Sequence, residues 1–307
     1  MRRKLKIKTL NKSYQYQDSI FYKLVTKKKL ANALGSDLKS LKKLSQDSNY
    51  NVFKSDDRAI QEPLGSLSQV HTHIASLLCR IRQPDYIHSG IKGKSHITNA
   101  KAHLGEHKLV TIDIKKFFAS TTRQMVFSFF YKKMRCSADV ANLLSFICTY
   151  DGFVPTGSRL SMPIAYWANE KMFYELNSLA CSKGIKMTVF VDDITFSGDA
   201  ANTSFTYALN KIISKYGHIM HPDKVKTYRA NQPKLVTGVV LDGENTKVRN
   251  ENHKKIYQDM VLWEAISSDK QSASLNKRLY GRLNSQSNID QRFKGKAMTL
   301  RQKITTL

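Results

Sequence analysis

Two periods organise the hydrophobic and polar positions along this chain, and most of the elements can be placed from them. Ile20, Phe21, Leu24, Leu30, Leu34, Leu38, Leu41 and Leu44 recur at helical spacing, and Gly35-Ser36 divides them into two helices. Val70, Ile74, Leu77, Leu78 and Ile81 mark a helix over about 66–82. Further helices are predicted over about 122–134, capped by Ser120 or Thr121, over about 137–150, and as one long segment over about 161–182. Phe205, Leu209, Ile212, Ile213 and Tyr216 form one face of another, capped by Asn202 or Thr203 and stopped by Gly217. Strand-like runs lie at 50–54 and 58–61, joined by a turn at 55–57 and ended by Pro63. The run 109–114 is almost continuously apolar, as in a strand buried on both faces, and 235–240 reads as one more strand. Runs 187–191 and 194–196 form a hairpin, and 221–224 a turn. Residues 1–17 are basic and read as a loosely held arm. Beyond Asp242-Gly243 the chain is helical and basic, with Lys254, Lys255, Lys277, Arg278, Arg282, Arg292, Lys294, Lys296, Arg301 and Lys303, which marks a domain boundary. No repeat or low-complexity segment interrupts the pattern, whose class is α+β.

Charge changes the picture more than composition does. The 307 residues, 41% hydrophobic, describe an ordinary folded chain, but 50 Lys+Arg against 24 Asp+Glu give a net charge of +26. Repulsion on that scale suits a polyanionic partner whose counterions are released on binding, and nucleic acid leads. Acidic lipid competes, without the amphipathic anchor or lipidation signal it needs. Cys79, Cys136, Cys148 and Cys181 are scattered with no zinc-like spacing and read as buried thiols in a reducing compartment. No apolar run reaches the 18 residues of a membrane span, and the basic N-terminus lacks the apolar stretch of a signal peptide. The expected location is the cytoplasm, away from membranes.

Candidate chemistry sits in three places. Gly93-Lys94-Ser95 invites a phosphate-loop reading, but the glycine required five residues before Gly93 is replaced by His88, so the reading fails. Asp192-Asp193 falls at the tip of the 187–196 hairpin, where a plain Asp-Asp turn and a functional site are both open. A third acid, Asp113, ends the buried run 109–114. Phosphoryl transfer needs a clamp on attacking and leaving oxygens, which two divalent ions held by carboxylates supply. Asp113, Asp192 and Asp193 form such a site if their strands pair. A cation also accounts for acids in otherwise apolar strands better than accident does.

The order Asp113-x-x-x-Phe117-Phe118, Pro155-Thr156-Gly157-Ser158, Phe190-Val191-Asp192-Asp193, then Gly217 with Lys224, resembles the successive palm motifs of reverse transcriptases, from about residue 20 to the end. Asn99-Ala100-x-x-His103 and Val236-Thr237-Gly238 are similar to markers of the bacterial retron reverse transcriptases. The resemblance implies a right-hand polymerase of fingers, palm and helical thumb. N-terminal arm and fingers would span 1–107, palm 108–241, with about 132–155 contributing to the fingers, and thumb 242–307. Asp113, Asp192 and Asp193 match the metal triad for two Mg²⁺ ions, with Mn²⁺ as a substitute, and Lys224 matches a lysine that protonates departing pyrophosphate. Lys54 and Arg58 match residues gripping the triphosphate. Phe118 matches the aromatic that excludes a 2′-hydroxyl, although neighbouring Phe117 could instead turn inward. Thr156, Gly157 and Ser158 match the loop that meets nucleotide and template, though Arg159-Leu160-Ser161-Met162-Pro163 departs from the family's small residues and proline. Asn99, His103, Thr237, Gly238, Arg278 and Arg282 are candidate RNA contacts; for His103 and Asn99 a structural role stands beside that one.

The activity so implied is RNA-directed DNA polymerisation on a cognate structured non-coding RNA. Synthesis is primed from an internal guanosine 2′-hydroxyl and uses dNTPs to give branched RNA-linked DNA (msDNA), in antiphage defence with a separate effector protein. The 65 residues after 242 leave no room for ribonuclease H beside a thumb, so a host enzyme is expected to remove RNA. The rivals are a reverse transcriptase of mobile-intron or diversity-generating type, and a non-catalytic RNA-binding scaffold of the same fold.

Overall fold

The computed structural model describes residues 5–56, 58–265 and 270–305. Helices α1 (Lys27–Ala33) and α2 (Leu38–Leu44) are capped by Thr26 and Asp37, whose side chains accept the backbone N–H groups of Lys29 and Ser40. The apolar residues 20–24 form turns instead of extending α1, and Phe21 and Leu24 are buried all the same. Strands β1 (Tyr50–Ser55) and β2 (Arg58–Pro63) pair antiparallel, as their pattern predicts; Asp57 of the expected turn lies outside the described residues. Helix α3 (Gly65–Leu78) follows, then the short α4 (His96–Lys101), closed by a capping box between Ser95 and Thr98. Gly93-Lys94-Ser95 is thus only the lead into that cap.

Strand β3 (Leu109–Asp113) runs into α5 (Phe117–Ser120) and α6 (Arg123–Ser128), capped by Thr122 and prolonged by a π-helical turn at Phe129–Lys133. Next come α7 (Ala138–Ile147), α8 (Ser161–Ala168) and α9 (Glu170–Ser182). The long helix expected over 161–182 therefore breaks at Asn169, whose buried amide donates to Thr121 Oγ1 at 2.9 Å and accepts from His218 Nε2 at 2.7 Å. Strands β4 (Lys186–Phe190) and β5 (Asp193–Ser197) form the expected hairpin, and Asn202 caps α10 (Thr203–Lys215). Strand β6 (Lys226–Tyr228), too short to show a period, completes an antiparallel sheet in the order β4-β5-β3-β6.

The run 235–240 is two strands and not one. β7 (Lys234–Val236) and β8 (Val239–Asp242) pair Val236 with Val239 across the two-residue turn Thr237-Gly238, whose φ values are 42° and 83°. A two-residue hairpin of this hand needs φ > 0 at both turn positions. Gly238 takes that conformation freely, while β-branched Thr237 hides the turn from a propensity reading. β9 (Asn245–Val248) adds a third strand, so the sheet runs across position 242. Helices α11 (Asn250–Ala265), α12 (Lys270–Gln286) and α13 (Arg292–Thr305) close the chain.

Burial divides into two cores. The larger runs from Phe21 to Ile213 around the four-stranded sheet, and the smaller joins α4 and Leu109 to β7, β8, β9 and the last three helices. Residues 8–14 are not free: Lys8 N donates to Ser76 Oγ at 2.9 Å, and Tyr14 exchanges backbone hydrogen bonds with Arg80 and Arg82. Among the described residues no helix is long and apolar enough to cross a membrane.

Candidate active site

The sheet register brings the separated acids together. β3 and β5 pair with Asp113 opposite Asp193, so two carboxylates become cross-strand neighbours on one face. Asp192 is next to them in the β4–β5 turn, and its carbonyl accepts from Ile114 N at 3.1 Å. Val191 begins that turn at φ 63°, a left-handed conformation that strains a β-branched side chain. Support comes from a segment outside the named strands: His88 N and Tyr86 O bond to Val189 of β4, and buried Ser89 accepts the Val191 N–H at 3.2 Å.

Burial, reinforced by crowding of like charge, governs the electrostatics of this corner. Burial, then the carboxylates of Asp192 and Asp113, push Asp193 up to about 6 against the pull of Lys224. Asp192 is raised for the same first reason and by Asp113, opposed by Lys224 and Arg58, so β2 brings Arg58 within electrostatic reach of the acids. Lys224 Nζ donates to Asp113 Oδ2 at 2.7 Å, and that hydrogen bond raises the lysine. The backbone braces the same corner, His221 N donating to Asp113 O at 2.8 Å.

Three oxygen-donor side chains with surplus negative charge suit a hard divalent cation. Among the described residues, no three His, Cys, Asp or Glu side chains stand together as a ready-made metal cluster, and Lys224 occupies one Asp113 oxygen. Asp113 Oδ1 and the carboxylates of Asp192 and Asp193 remain as oxygen donors beside that contact.

The remaining predicted residues fall into three groups. Phe117 is in the core against Phe173 and His218, while adjacent Phe118 is half-buried. Thr156 and Gly157 are exposed and Ser158 is half-buried; Lys54 is exposed on β1, as is Arg58 on β2. Glycine at 157 answers a close approach by protein: a Cβ there would lie 2.8 Å from Gln61 O.

The expected RNA contacts are placed differently. His103 is 1% exposed, with Nδ1 2.6 Å from Ser197 Oγ and Nε2 2.7 Å from Thr188 Oγ1, and burial pushes it down to about 3. It pins the chain after α4 to the β4–β5 hairpin and offers RNA no free nitrogen. Asn99 is fully buried and donates to Thr237 Oγ1 at 3.5 Å, while Thr237 donates to His96 O at 2.7 Å. Asn99 and Thr237 thus touch each other across 138 residues, leaving Gly238 exposed. Arg278 and Arg282 converge on buried Asp259, with contacts of 2.8 Å and 2.6 Å, and hold α12 to α11. His103 is thus fully partnered within the protein, buried Asn99 Oδ1 has no partner among the described residues, and the two arginines have half-exposed heads already committed to a carboxylate.

Gln61, His71, Ser89 and His218 lie around this site and carry no sequence motif. Their one signal is polarity at buried positions. His71 occupies the apolar stripe of Leu67 and Ile74, four residues after the first and three before the second.

An antiparallel sheet with acids at one corner, helices packed against it and a helical C-terminal region is the right-hand polymerase fold. Apo telomerase from Candida Tropicalis superposes with a TM-score of 0.50 over 76% of this chain and 52% of its own, at 11% identity, a likeness of fold. In sequence the chain is similar to the retron Se72 reverse transcriptase of Salmonella heidelberg, 28% identical over 209 residues, covering 65% of this chain and 55% of that protein. The Escherichia coli retron Ec86 reverse transcriptase is 28% identical over 167 residues, 54% of this chain and 52% of its own. The chain thus spans about half the length of the curated relatives it matches. No protein-family model matches it.

Proposed function

We propose that the chain is an RNA-directed DNA polymerase of the retron type. Its parts are an N-terminal arm and fingers over 1–107, palm over 108–241, with about 132–155 lent to the fingers, and thumb over 242–307. The observation that carries the reading is the pairing of Asp113 with Asp193 beside Asp192, in a chain similar to retron reverse transcriptases. Asp113, Asp192 and Asp193 would hold Mg²⁺, or Mn²⁺ in its place, which would supply Lewis acidity toward a primer hydroxyl and departing pyrophosphate. Arg58 and Lys54 grip the triphosphate on the β1–β2 hairpin, the guanidinium by its planar fork. Phe118 lies under the sugar and excludes a 2′-hydroxyl. Lys224, freed from Asp113, is placed to protonate pyrophosphate.

The template is a cognate structured RNA, and synthesis begins at an internal guanosine 2′-hydroxyl, giving branched RNA-linked DNA. The work is done in the cytoplasm, with a separate effector in antiphage defence and host ribonuclease H removing RNA. The +26 charge supports a polyanionic partner.

Purified protein with Mg²⁺, dNTPs and a primed RNA should extend DNA, and Asp192→Asn with Asp193→Asn should not. Extension that survives the double change would sink the site. For the retron type, nucleic acid co-purified from the native host should contain DNA joined to RNA by a debranching-sensitive 2′,5′ link; unbranched DNA would refute that narrower claim.

A further inference from the structure

Three successive residues of the loop 156–158 are each held from outside the sheet. Thr156 N donates to Gln61 Oε1 at 3.0 Å, Gly157 N donates to Gln61 O at 3.1 Å, and Ser158 Oγ lies 2.7 Å from His71 Nδ1. Gln61 is on β2, three residues after Arg58; His71 is on α3. Both are buried, His71 completely.

Bond geometry fixes the direction of the histidine contact. The other ring nitrogen, Nε2, is 2.7 Å from the Ile147 carbonyl, which can only accept, so Nε2 carries the proton. Burial pushes His71 down to about 4 and keeps the ring neutral at physiological pH. Nδ1 is then a lone pair, and the Ser158 hydroxyl must donate to it. Ser158 Oγ also accepts Leu160 N at 3.0 Å. Its proton is therefore committed within the protein, and the loop surface left to a ligand is that of Thr156 and Gly157.

We propose that His71, together with Gln61, is a positioning residue for the incoming nucleotide: Gln61 ties the 156–158 loop to the strand that carries Arg58 and His71 ties it to α3, the next element of the chain, so loop and triphosphate grip are held in one fixed arrangement. This rests on the polymerase reading above. Neither residue touches nucleotide; each acts through the loop. The simpler alternative is that His71 only ties α3 to the end of α7 through Ile147.

Two amides separate these roles, since each keeps one half of the imidazole. In His71→Asn the amide oxygen stands in for Nδ1 and still accepts from Ser158. In His71→Gln the amide nitrogen stands in for Nε2 and still donates to Ile147. Steady-state extension by a single dNTP, with melting temperature recorded for each variant, is the measurement. H71Q and S158A should each raise the KM for dNTP about fivefold with kcat within about twofold, the size of one neutral hydrogen bond. H71N should restore the KM, and the double variant H71Q/S158A should be no worse than either single one. Equal KM values in H71N and H71Q, or effects that multiply in the double variant, overturn the proposal. If the His71 variants fail to fold, Gln61→Glu, which keeps an acceptor for Thr156 N, is compared with Gln61→Ala; a raised KM in Q61A alone supports the latch, and equal values refute it. Wild-type protein that extends no primer, or extension indifferent to D192N, overturns the polymerase reading itself, an outcome distinct from failure of the latch.

Discussion

Asp193 is the residue through which pH acts most directly on the site. Its folded value near 6 lies above the ordinary aspartate value of 3.8, so the folded chain binds its proton more tightly than the unfolded chain does. The stability contributed by that proton is complete below about pH 4 and is lost as pH rises through about 6. Metal-free protein should therefore lose melting temperature over this window by an increment that is absent in Asp193→Asn, and added Mg²⁺ should restore stability above pH 6. A pH profile identical in wild type and D193N would contradict a raised Asp193 carboxyl. Lys224 works at the same scale: Lys224→Ala should lower kcat by about a hundredfold if it is the general acid. A kcat within a factor of two of wild type, in single-turnover extension, would limit it to a counter-ion for Asp113. Asp113, Asp192 and Asp193 were legible as a candidate site because a carboxylate in an apolar run is costly unless a cation offsets its charge. His71 was not, because one polar residue in a helical stripe is indistinguishable from a loop-facing one until its neighbours are known.

Elements are held here by a few buried polar contacts, and these define the next predictions. Asp259 is the shared acceptor of Arg278 and Arg282 between α11 and α12. Asp259→Asn should cost about 2 kcal/mol of stability, discounted because both arginine heads are partly exposed, and urea unfolding would read it. No loss would mean the ion pairs are ornamental and the arginines are free for nucleic acid. Gly157→Ala places a methyl 2.8 Å from the Gln61 carbonyl, a backbone atom that cannot swing aside. The loop must shift, so the KM for dNTP should rise about tenfold or more while the melting temperature changes little, a split that steady-state kinetics and calorimetry together resolve. At this scale the β4–β5 hairpin and β3 followed from period and turn chemistry. The β7–β8 hairpin and the break at Asn169 did not: Thr237 is a strand former that takes positive φ in a two-residue turn and bonds to His96 O, and Asn169, at the break between two helices, bonds to Thr121 and His218.

Over the whole molecule the +26 charge and the two cores matter together. Binding to a primed RNA–DNA duplex should fall at least about a hundredfold between 50 and 200 mM salt, since several phosphates must be neutralised. A flat salt response in a filter-binding titration would remove nucleic acid as the reason for the charge. The smaller core joins α4 and Leu109 to the C-terminal helices, and within it Asn99 and Thr237 tie α4 to the β7–β8 turn.

Local pattern alone carries the class of fold, the β4–β5 hairpin with its adjacent acids and a net charge suited to a polyanion, because period, turn chemistry and net charge are local or additive properties of a chain. Only packing sets which acids face each other, which phenylalanine turns inward, that Asn99 and His103 are buried, and that a histidine on α3 holds the 156–158 loop. Each of these depends on strand register and on contacts between residues tens to more than a hundred positions apart. Hydrogen-bond partners at such separations are set by packing, which no window of sequence contains.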